Sequence, residues 1–246
     1  TFAEAMNPNL SFELRSGNVH NFNAGPSILP DSVLEEAAEA VLNFNKSGIS
    51  LLEYGHRTPA FTAVMEEAKS LVKELMELGS DHEVLFLHGG ASTQFMQVPM
   101  NLLDEKDTAA YADTGIWAAK AIKEAKLFGT VDIACTSRES DYKFIPRDFA
   151  IPNDARYFHI TTNNTVYGTQ WHFMPFSSTP LVADMSSDIF SRELNFSAFD
   201  LIYAGAQKNM GAAGLDLVVV NPRVLGKTKR RIPLVYCCEK KKNKNK

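Results

Sequence analysis

Short apolar runs without alternation recur along this chain from residue 84 onward. Runs of this kind are typical of strands buried on both faces of a parallel sheet. The predicted strands are Val84–Leu87, Ala109–Ala112, Val131–Cys135, Arg156–Thr161, Pro180–Asp184, Leu201–Ala204 and Leu215–Val220.

Between and before these runs, apolar residues recur at helical spacing instead. The predicted helices extend from Asp31 to Gly48, from Pro59 to Leu78, from Gln94 to Leu103 and from Ile116 to Phe128. Strands that alternate with helices predict an α/β fold, namely a three-layer α/β/α arrangement around a mostly parallel sheet.

The two ends of the chain lack such patterns. Residues 1–20 are polar and weakly patterned, and we interpret them as an N-terminal extension. Residues 233–246 end in the run KKKNKNK, which is unable to bury apolar area, so we expect a disordered tail there.

Composition narrows the function classes. The 246 residues are 45% hydrophobic and carry a net charge of -4, so neither nucleic acid nor an anionic membrane is expected as a partner. No apolar run approaches the roughly 20 residues that span a bilayer. Cys135, Cys237 and Cys238 form neither a CxxC pair nor a disulfide framework, and the N-terminus lacks a secretory signal, so we expect a reducing, cytoplasmic compartment.

Polar residues stand at several predicted strand ends, where ligands bind in parallel sheets. They are Ser92, Thr114, Thr165, Asp184 and Lys208. Lys208 follows a strand and a glycine; burial would make its neutral amine available as a nucleophile, whereas the alternative is a surface lysine in a tight turn. Asp184 fits a helix cap, a metal ligand or the partner of a buried cation.

Three further features leave alternatives open. The turn Gly89–Thr93 joins a strand to a helix and suits a phosphate, or its glycines serve only the geometry of the turn. Trp117 follows a glycine and belongs to a ligand site or to the core. His56 and Arg57 either hold an anion or form a solvated turn.

Several enzyme classes lack their motifs here. There is no GxSxG, no HExxH or EF-hand spacing and no GxGxxG, so a hydrolase, a metal enzyme and a nicotinamide dehydrogenase have no support. The remaining candidates are a phosphate-binding turn, an aromatic ring, an acid and a lysine. A binding site for pyridoxal phosphate needs these four kinds of group. The stretch between Asp184 and Lys208 is long enough for one strand–helix–strand crossover.

Seven separated blocks carry a family resemblance: NFNAGPSILP, EYGHRTP, FLHGGASTQF, ADTGIWAAKAIKEA, NNTVYGTQ, VADMSSDIFSR and YAGAQKNMGAAGL. In this order, from about Phe22 to about Ile232, the chain resembles the phosphoserine aminotransferases, which are fold-type I, class V aminotransferases using pyridoxal 5'-phosphate. The resemblance implies an aspartate-aminotransferase-like, cofactor-binding large domain over residues 21–232.

The resemblance also implies roles for individual residues. Lys208 resembles the Schiff-base lysine and proton shuttle, and Asp184 the partner of the pyridinium nitrogen. Trp117 resembles the ring that stacks on the cofactor, Thr165 the hydroxyl near its phenolate, and Gln207 a phosphate ligand.

The remaining implied roles concern anions. Ala91 and Ser92 fall where backbone groups hold the cofactor phosphate. His56 and Arg57 match the pair that binds the anionic substrate, across the interface of a homodimer with shared active sites.

The implied reaction transfers an amino group from L-glutamate to 3-phosphohydroxypyruvate, giving O-phospho-L-serine and 2-oxoglutarate in L-serine biosynthesis. The related step of pyridoxine biosynthesis is a further activity that the resemblance leaves open. The alternatives are another class V transaminase, such as a serine–glyoxylate type, or an inactive cofactor-binding domain.

The chain departs from the family pattern in three places. Ala24 stands where many members have serine, and Ser92 where some have a phosphate-binding arginine. Members also continue into a smaller C-terminal domain, which we expect to be largely missing here, with weak cofactor binding and poor turnover as the consequence.

Overall fold

The computed structural model describes residues 20–238 of the chain. These residues form two compact units, the first comprising 20–23 and 27–64 and the second comprising 24–26 and 65–238. The first unit contains helix α1 (Asp31–Asn43) and the start of helix α2 (Pro59–Leu75), with short 3-10 turns at Phe44–Lys46 and Leu51–Glu53.

The second unit contains the strands and two further helices. In chain order they are β1 (Glu83–Leu87), α3 (Ala91–Leu102), β2 (Thr108–Asp113), α4 (Ile116–Ala125), β3 (Thr130–Thr136), β4 (Phe158–Thr161), β5 (Asn163–Asn164), β6 (Thr169–Gln170), β7 (Leu181–Asp184), β8 (Leu201–Gly205) and β9 (Asp216–Val220).

Seven of the strands form one sheet in the order β1-β9-β8-β7-β4-β2-β3. All neighbours are parallel except β9, which runs antiparallel to both β1 and β8. Strands β5 and β6 form a separate hairpin. The prediction of a mostly parallel sheet is confirmed, and every predicted strand is present within two residues of its expected bounds.

The sheet is buried on both faces, which explains its continuous apolar runs. On one face Tyr203 packs in a cluster with Phe95 of α3 and Ala121 of α4. On the other face Ile202 packs with Val72 of α2 and Trp171. Side chains of one strand therefore alternate between two largely apolar cores.

The crossover between β7 and β8 contains no α-helix, although the stretch is long enough for one. The chain turns instead, with Phe190 in the left-handed region at φ 61, and forms only a 3-10 turn at Phe196–Ala198. Buried Met185 and Ile189 belong to the core beneath this segment.

Several helix ends also differ from the prediction. Helix α1 ends at Asn43 rather than Gly48, and helix α4 ends at Ala125 rather than Phe128. Helix α2 ends at Leu75 rather than Leu78, since Glu77 adopts φ 51 and stops the helical repeat. Helix α3 begins at Ala91 rather than Gln94, directly after Gly90 at φ 74. The earlier start of α3 brings the beginning of this helix closer to the end of β1.

Residues 233–238, assigned from sequence to the lysine-rich tail, have a defined structure. Cys237 and Cys238 are buried, and Asn101 of α3 bonds the segment through its side chain. Its Nδ2 donates to the carbonyl oxygen of Tyr236 at 2.8 Å, and its Oδ1 accepts from the N–H of Cys238 at 3.0 Å. Residues 239–246 of that tail and residues 1–19 of the predicted N-terminal extension lie outside the described residues.

Candidate active site

The carboxyl ends of β1, β7 and β8 meet at one edge of the sheet. In the strand register Leu87 pairs with Asp216, Asp216 pairs with Gly205, and Asp184 pairs with Tyr203. The segments that follow β1, β7 and β8 therefore leave the sheet at the same edge. This edge carries most of the polar residues that the sequence singled out.

Lys208 lies in the turn after β8 and is half-buried. Its Nζ donates a hydrogen bond to Oγ1 of Thr165 at 2.9 Å and lies 4.9 Å from the centroid of the Trp117 ring. Burial lowers the pKa of Lys208, while the charge of Asp184 acts in the opposite direction. These contacts oppose the alternative of a solvated surface lysine and favour an available amine.

Asp184 ends β7 and is buried. Its Oδ1 accepts two hydrogen bonds from Ser186, one from the backbone N–H at 3.0 Å and one from the hydroxyl at 2.6 Å. Burial raises the pKa of the Asp184 carboxyl, and the Ser186 bonds and the charge of Lys208 oppose that rise. Both bonds go to Oδ1, so Oδ2 remains for another donor.

Ser186 is a residue that sequence reasoning missed. Its hydroxyl donates to Asp184 and accepts the backbone N–H of Gly205 at 3.1 Å. The Ser186 side chain therefore links the end of β7, where Asp184 lies, to the end of β8, which Lys208 follows. Its position within the block VADMSSDIFSR is the only signal that the sequence offers.

Trp117 is the second residue of α4, which begins close to the β5–β6 hairpin. A Cβ added to Gly115 would lie only 2.5 Å from Oδ1 of Asn164, so glycine permits this close approach. Thr165 follows Asn164, which explains how Trp117 and Thr165 come to flank the same lysine. The Trp117 Nε1 is buried and has no hydrogen-bond partner within residues 20–238.

The start of α3 is suited to an anion. Gly89 and Gly90 adopt φ 116 and 74, and no side chain caps the helix. The first N–H groups of a helix, here those of Ala91 and Ser92, lack acceptors within it and carry its positive dipole end. A Cβ added to Gly205 would lie 3.0 Å from Oε1 of Gln207, which places this amide directly over the end of β8.

Two of the remaining predicted residues belong to the first unit. His56 and Arg57 lie exposed in the first unit, in the turn before α2, and their role stays a prediction. In the second unit Gly25, next to Ala24, approaches the lysine closely, since an added Cβ would lie 3.0 Å from Cγ of Lys208.

The described residues fit pyridoxal 5'-phosphate as a set of donors and acceptors. The site has a half-buried amine beside an aromatic ring, a buried carboxylate with one oxygen left over, and an uncapped helix start. Within the part of the chain that the structure describes, no cluster of three His, Cys, Asp or Glu side chains could hold a metal ion. In the same part, no helix combines the length and the apolar character needed to cross a membrane.

Comparison with known proteins assigns the family. The model of the aminotransferase class-V family matches residues 19–238, and the chain therefore belongs to the class V aminotransferases. This confirms the class to which the fold and the sequence blocks pointed.

The curated relatives described next are both phosphoserine aminotransferases. The chain is 59% identical over 215 residues to a phosphoserine aminotransferase of Flavobacterium johnsoniae, covering 87% of this chain and 60% of the relative. It is 54% identical to one of Bacteroides fragilis over 214 residues, with coverage of 87% and 60%. The chain thus spans 60% of the length of these curated relatives.

Solved structures of the same name superpose well. Phosphoserine aminotransferase from Bacillus circulans matches with a TM-score of 0.90 and 40% identity, over 94% of this chain and 64% of that one. The enzyme from Trichomonas vaginalis, solved with PLP bound, matches with a TM-score of 0.86 and 30% identity, over 93% and 65%. The large-domain fold expected from the sequence blocks is confirmed.

Proposed function

We propose that this chain is the cofactor-binding part of a phosphoserine aminotransferase, which moves an amino group from L-glutamate to 3-phosphohydroxypyruvate. The observation that carries the proposal is the position of the Lys208 amine, bonded to Thr165 and next to the Trp117 ring and the Asp184 carboxylate. Four residues from distant parts of the chain meet there.

In this proposal pyridoxal 5'-phosphate binds at the sheet edge and, when bound, supplies an electron sink for charge at the substrate α-carbon. The backbone N–H groups of Ala91 and Ser92 and the amide of Gln207 bind its phosphate. Trp117 packs against its ring, and the Thr165 hydroxyl donates to its ring oxygen.

Asp184 and Lys208 carry the chemical roles. A buried carboxylate is costly when charged and unpaired, so Oδ2 of Asp184 favours a ligand that offers a protonated ring nitrogen. The lowered pKa of Lys208 increases the fraction of neutral amine, the form in which Nζ would take a proton from one carbon and return it to another.

Substrate recognition and assembly belong to the same proposal. His56 and Arg57 are exposed and adjacent, and a cationic pair suits a phosphorylated, dianionic substrate. We place them in the substrate site of a homodimer with shared active sites. The three cysteines are buried and form no disulfide, which fits a reducing, cytoplasmic compartment.

The first test is cofactor binding. Adding pyridoxal 5'-phosphate to the wild-type chain should produce a stable absorbance in the visible range that Lys208→Ala abolishes. Lys143→Ala is the matched control, because Lys143 is exposed and pairs with exposed Asp141. A wild-type chain that stays colourless, or a Lys208→Ala chain that colours equally, would refute the proposed cofactor site.

The second test concerns the substrate. The loaded protein should convert L-glutamate to 2-oxoglutarate with 3-phosphohydroxypyruvate as acceptor and much more slowly with glyoxylate. Faster reaction with glyoxylate would assign the chain to another class V transaminase. Cofactor binding without turnover of either acceptor would limit the function of this chain to binding.

A further inference from the structure

Asp216 is a buried carboxylate at the edge of the sheet that carries the candidate site. Its side chain is 0% exposed, and neither carboxylate oxygen has a hydrogen-bond partner among the described residues. It opens β9 and pairs in register with Leu87 and Gly205, which end β1 and β8. An ionised carboxylate in this environment would be costly, because nothing replaces its hydration.

The side chain of Asp216 faces α3. Side chains two residues apart point to the same face of a strand, and Val218 and Val220 pack in the cluster that contains Phe95 of α3. Gln94, in the first turn of α3, has a buried Nε2 without a partner in the described part of the chain. A carboxylate and an amide with unused hydrogen-bonding capacity therefore lie just behind the helix start that suits a phosphate.

Several groups act on the charge of Asp216. Burial raises its pKa to about 6, and the negative charge of Asp184 adds to the rise, whereas the Gln94 amide and His88 oppose it. Tyr203 of β8 also lies close enough to interact with it. His88 comes from the turn after β1, Asp184 from β7, and α3 presents the neutral Gln94.

We propose that Asp216 must hold a proton for a phosphate-bearing ligand to bind tightly at the start of α3, so that the site is proton-linked. An ionised Asp216 would repel the ligand phosphate through the low-dielectric interior, while the protonated acid is neutral and its carbonyl oxygen can still accept a hydrogen bond from Nε2 of Gln94. Affinity for the phosphate therefore falls as pH rises and Asp216 loses its proton. The proposal rests on the proposed function in placing a cofactor phosphate at Ala91 and Ser92.

Asp216→Asn tests it, since asparagine keeps the shape of the acid and stays neutral. Calorimetric titration with pyridoxal 5'-phosphate would compare wild type and variant at about pH 5 and about pH 8. The ratio of wild-type Kd to variant Kd should be near one at the lower pH and about tenfold at the higher pH. Taking the ratio removes the titration of the ligand itself and of Lys208, which both chains share.

Two controls make the result specific. Asp132→Asn removes the same charge from an exposed position on β3 and should leave the pH dependence of Kd unchanged. With pyridoxal, which has no phosphate, the ratio for Asp216→Asn should vary much less with pH. A ratio that is equal at both pH values, or that changes as much with pyridoxal, would overturn the proposal.

Thermal melts without ligand separate this inference from the proposed function. Because the folded acid binds its proton more tightly than the unfolded one, wild type should lose stability relative to Asp216→Asn as pH rises from about 4 to about 6. An equal difference across that range would show that Asp216 holds no proton and sink the proposal. A wild-type chain that binds no cofactor at any pH would refute the proposed function and the linkage, whatever the melts show.

Discussion

The Nζ of Lys208 donates a hydrogen bond to Oγ1 of Thr165 at 2.9 Å, although 43 positions separate the two residues. The lysine follows β8, and the threonine follows the β5 strand of the hairpin. Neither local segment alone orients the amine, because the lysine side chain has several free torsions. The bond and the neighbouring Trp117 ring hold the amine in one place.

Replacing Thr165 with valine should weaken cofactor binding. Valine keeps the shape of threonine but removes the hydroxyl, and a hydrogen bond of this kind contributes about 1 kcal/mol. We expect about a fivefold higher Kd for pyridoxal 5'-phosphate, measured by visible absorbance titration. Thr165→Ser should restore the wild-type value, and equal affinity of all three chains would mean that the hydroxyl does not orient the amine.

Lys208 should react with amine-selective reagents at lower pH than other lysines. Its pKa is lowered, so at any given pH a larger fraction of Lys208 is the neutral, reactive amine. Mass spectrometry can follow labelling against pH, with exposed Lys143 as the internal reference. The labelling midpoint of Lys208 should lie below that of Lys143.

Asp184→Asn sharpens this test. Since the Asp184 carboxylate raises the pKa of Lys208, its removal should shift the midpoint to still lower pH. A midpoint of Lys208 at or above that of Lys143 in the wild-type chain would contradict burial as the dominant influence.

Ser186→Ala should impair the site through Asp184. The alanine removes a donor to Oδ1 that lowers the carboxyl pKa, so Asp184 should ionise at higher pH. We expect cofactor affinity to fall about fivefold and its pH profile to move upward. Ser186→Thr should preserve the profile, and a purely structural role would change stability without moving it.

Ser191→Ala is the matched control for this prediction. The Ser191 hydroxyl donates to the carbonyl oxygen of Asp188 at 2.7 Å, in the same crossover as Ser186. It should leave the pH profile unchanged. An equal shift in both variants would assign the effect to the crossover rather than to the bond with Asp184.

Gly25→Ala should displace Lys208. The new Cβ would lie 3.0 Å from Cγ of the lysine, and relief of such crowding typically costs about 1 kcal/mol or more. Cofactor Kd should rise about fivefold while the melting temperature changes little. Gly211→Ala, three residues beyond the lysine, meets nothing within 4 Å and should behave as wild type.

Strand positions could be predicted well because both faces of the sheet are covered. In β8 the five residues Leu201–Gly205 are all buried, and a continuous apolar run is the direct consequence. The path of the crossover after Asp184 could not be predicted, because it depends on which apolar residues reach the core. Chain length between two strands contains no such information.

Some candidate residues could be selected from the sequence, and others could not. Asp184 and Lys208 could be selected from sequence because each follows an apolar run, and the ends of parallel strands share an edge. Ser186 and Asp216 could not, since a serine in a turn and an acid at the start of an apolar run are common for other reasons. Their significance comes from neighbours that only the fold brings together, such as Gly205 beside Ser186 and Gln94 beside Asp216.

By itself the sequence determined the order of strands and helices, the family and the identity of the central lysine, because periodicity and short blocks are local properties. Only the tertiary structure decided the state of those residues. Segments that meet only in the fold remove water from both groups. They make Lys208 half-buried, and they leave the Asp216 carboxylate without a hydrogen-bond partner among the described residues. That desolvation lowers the pKa of Lys208 and raises the pKa of Asp216.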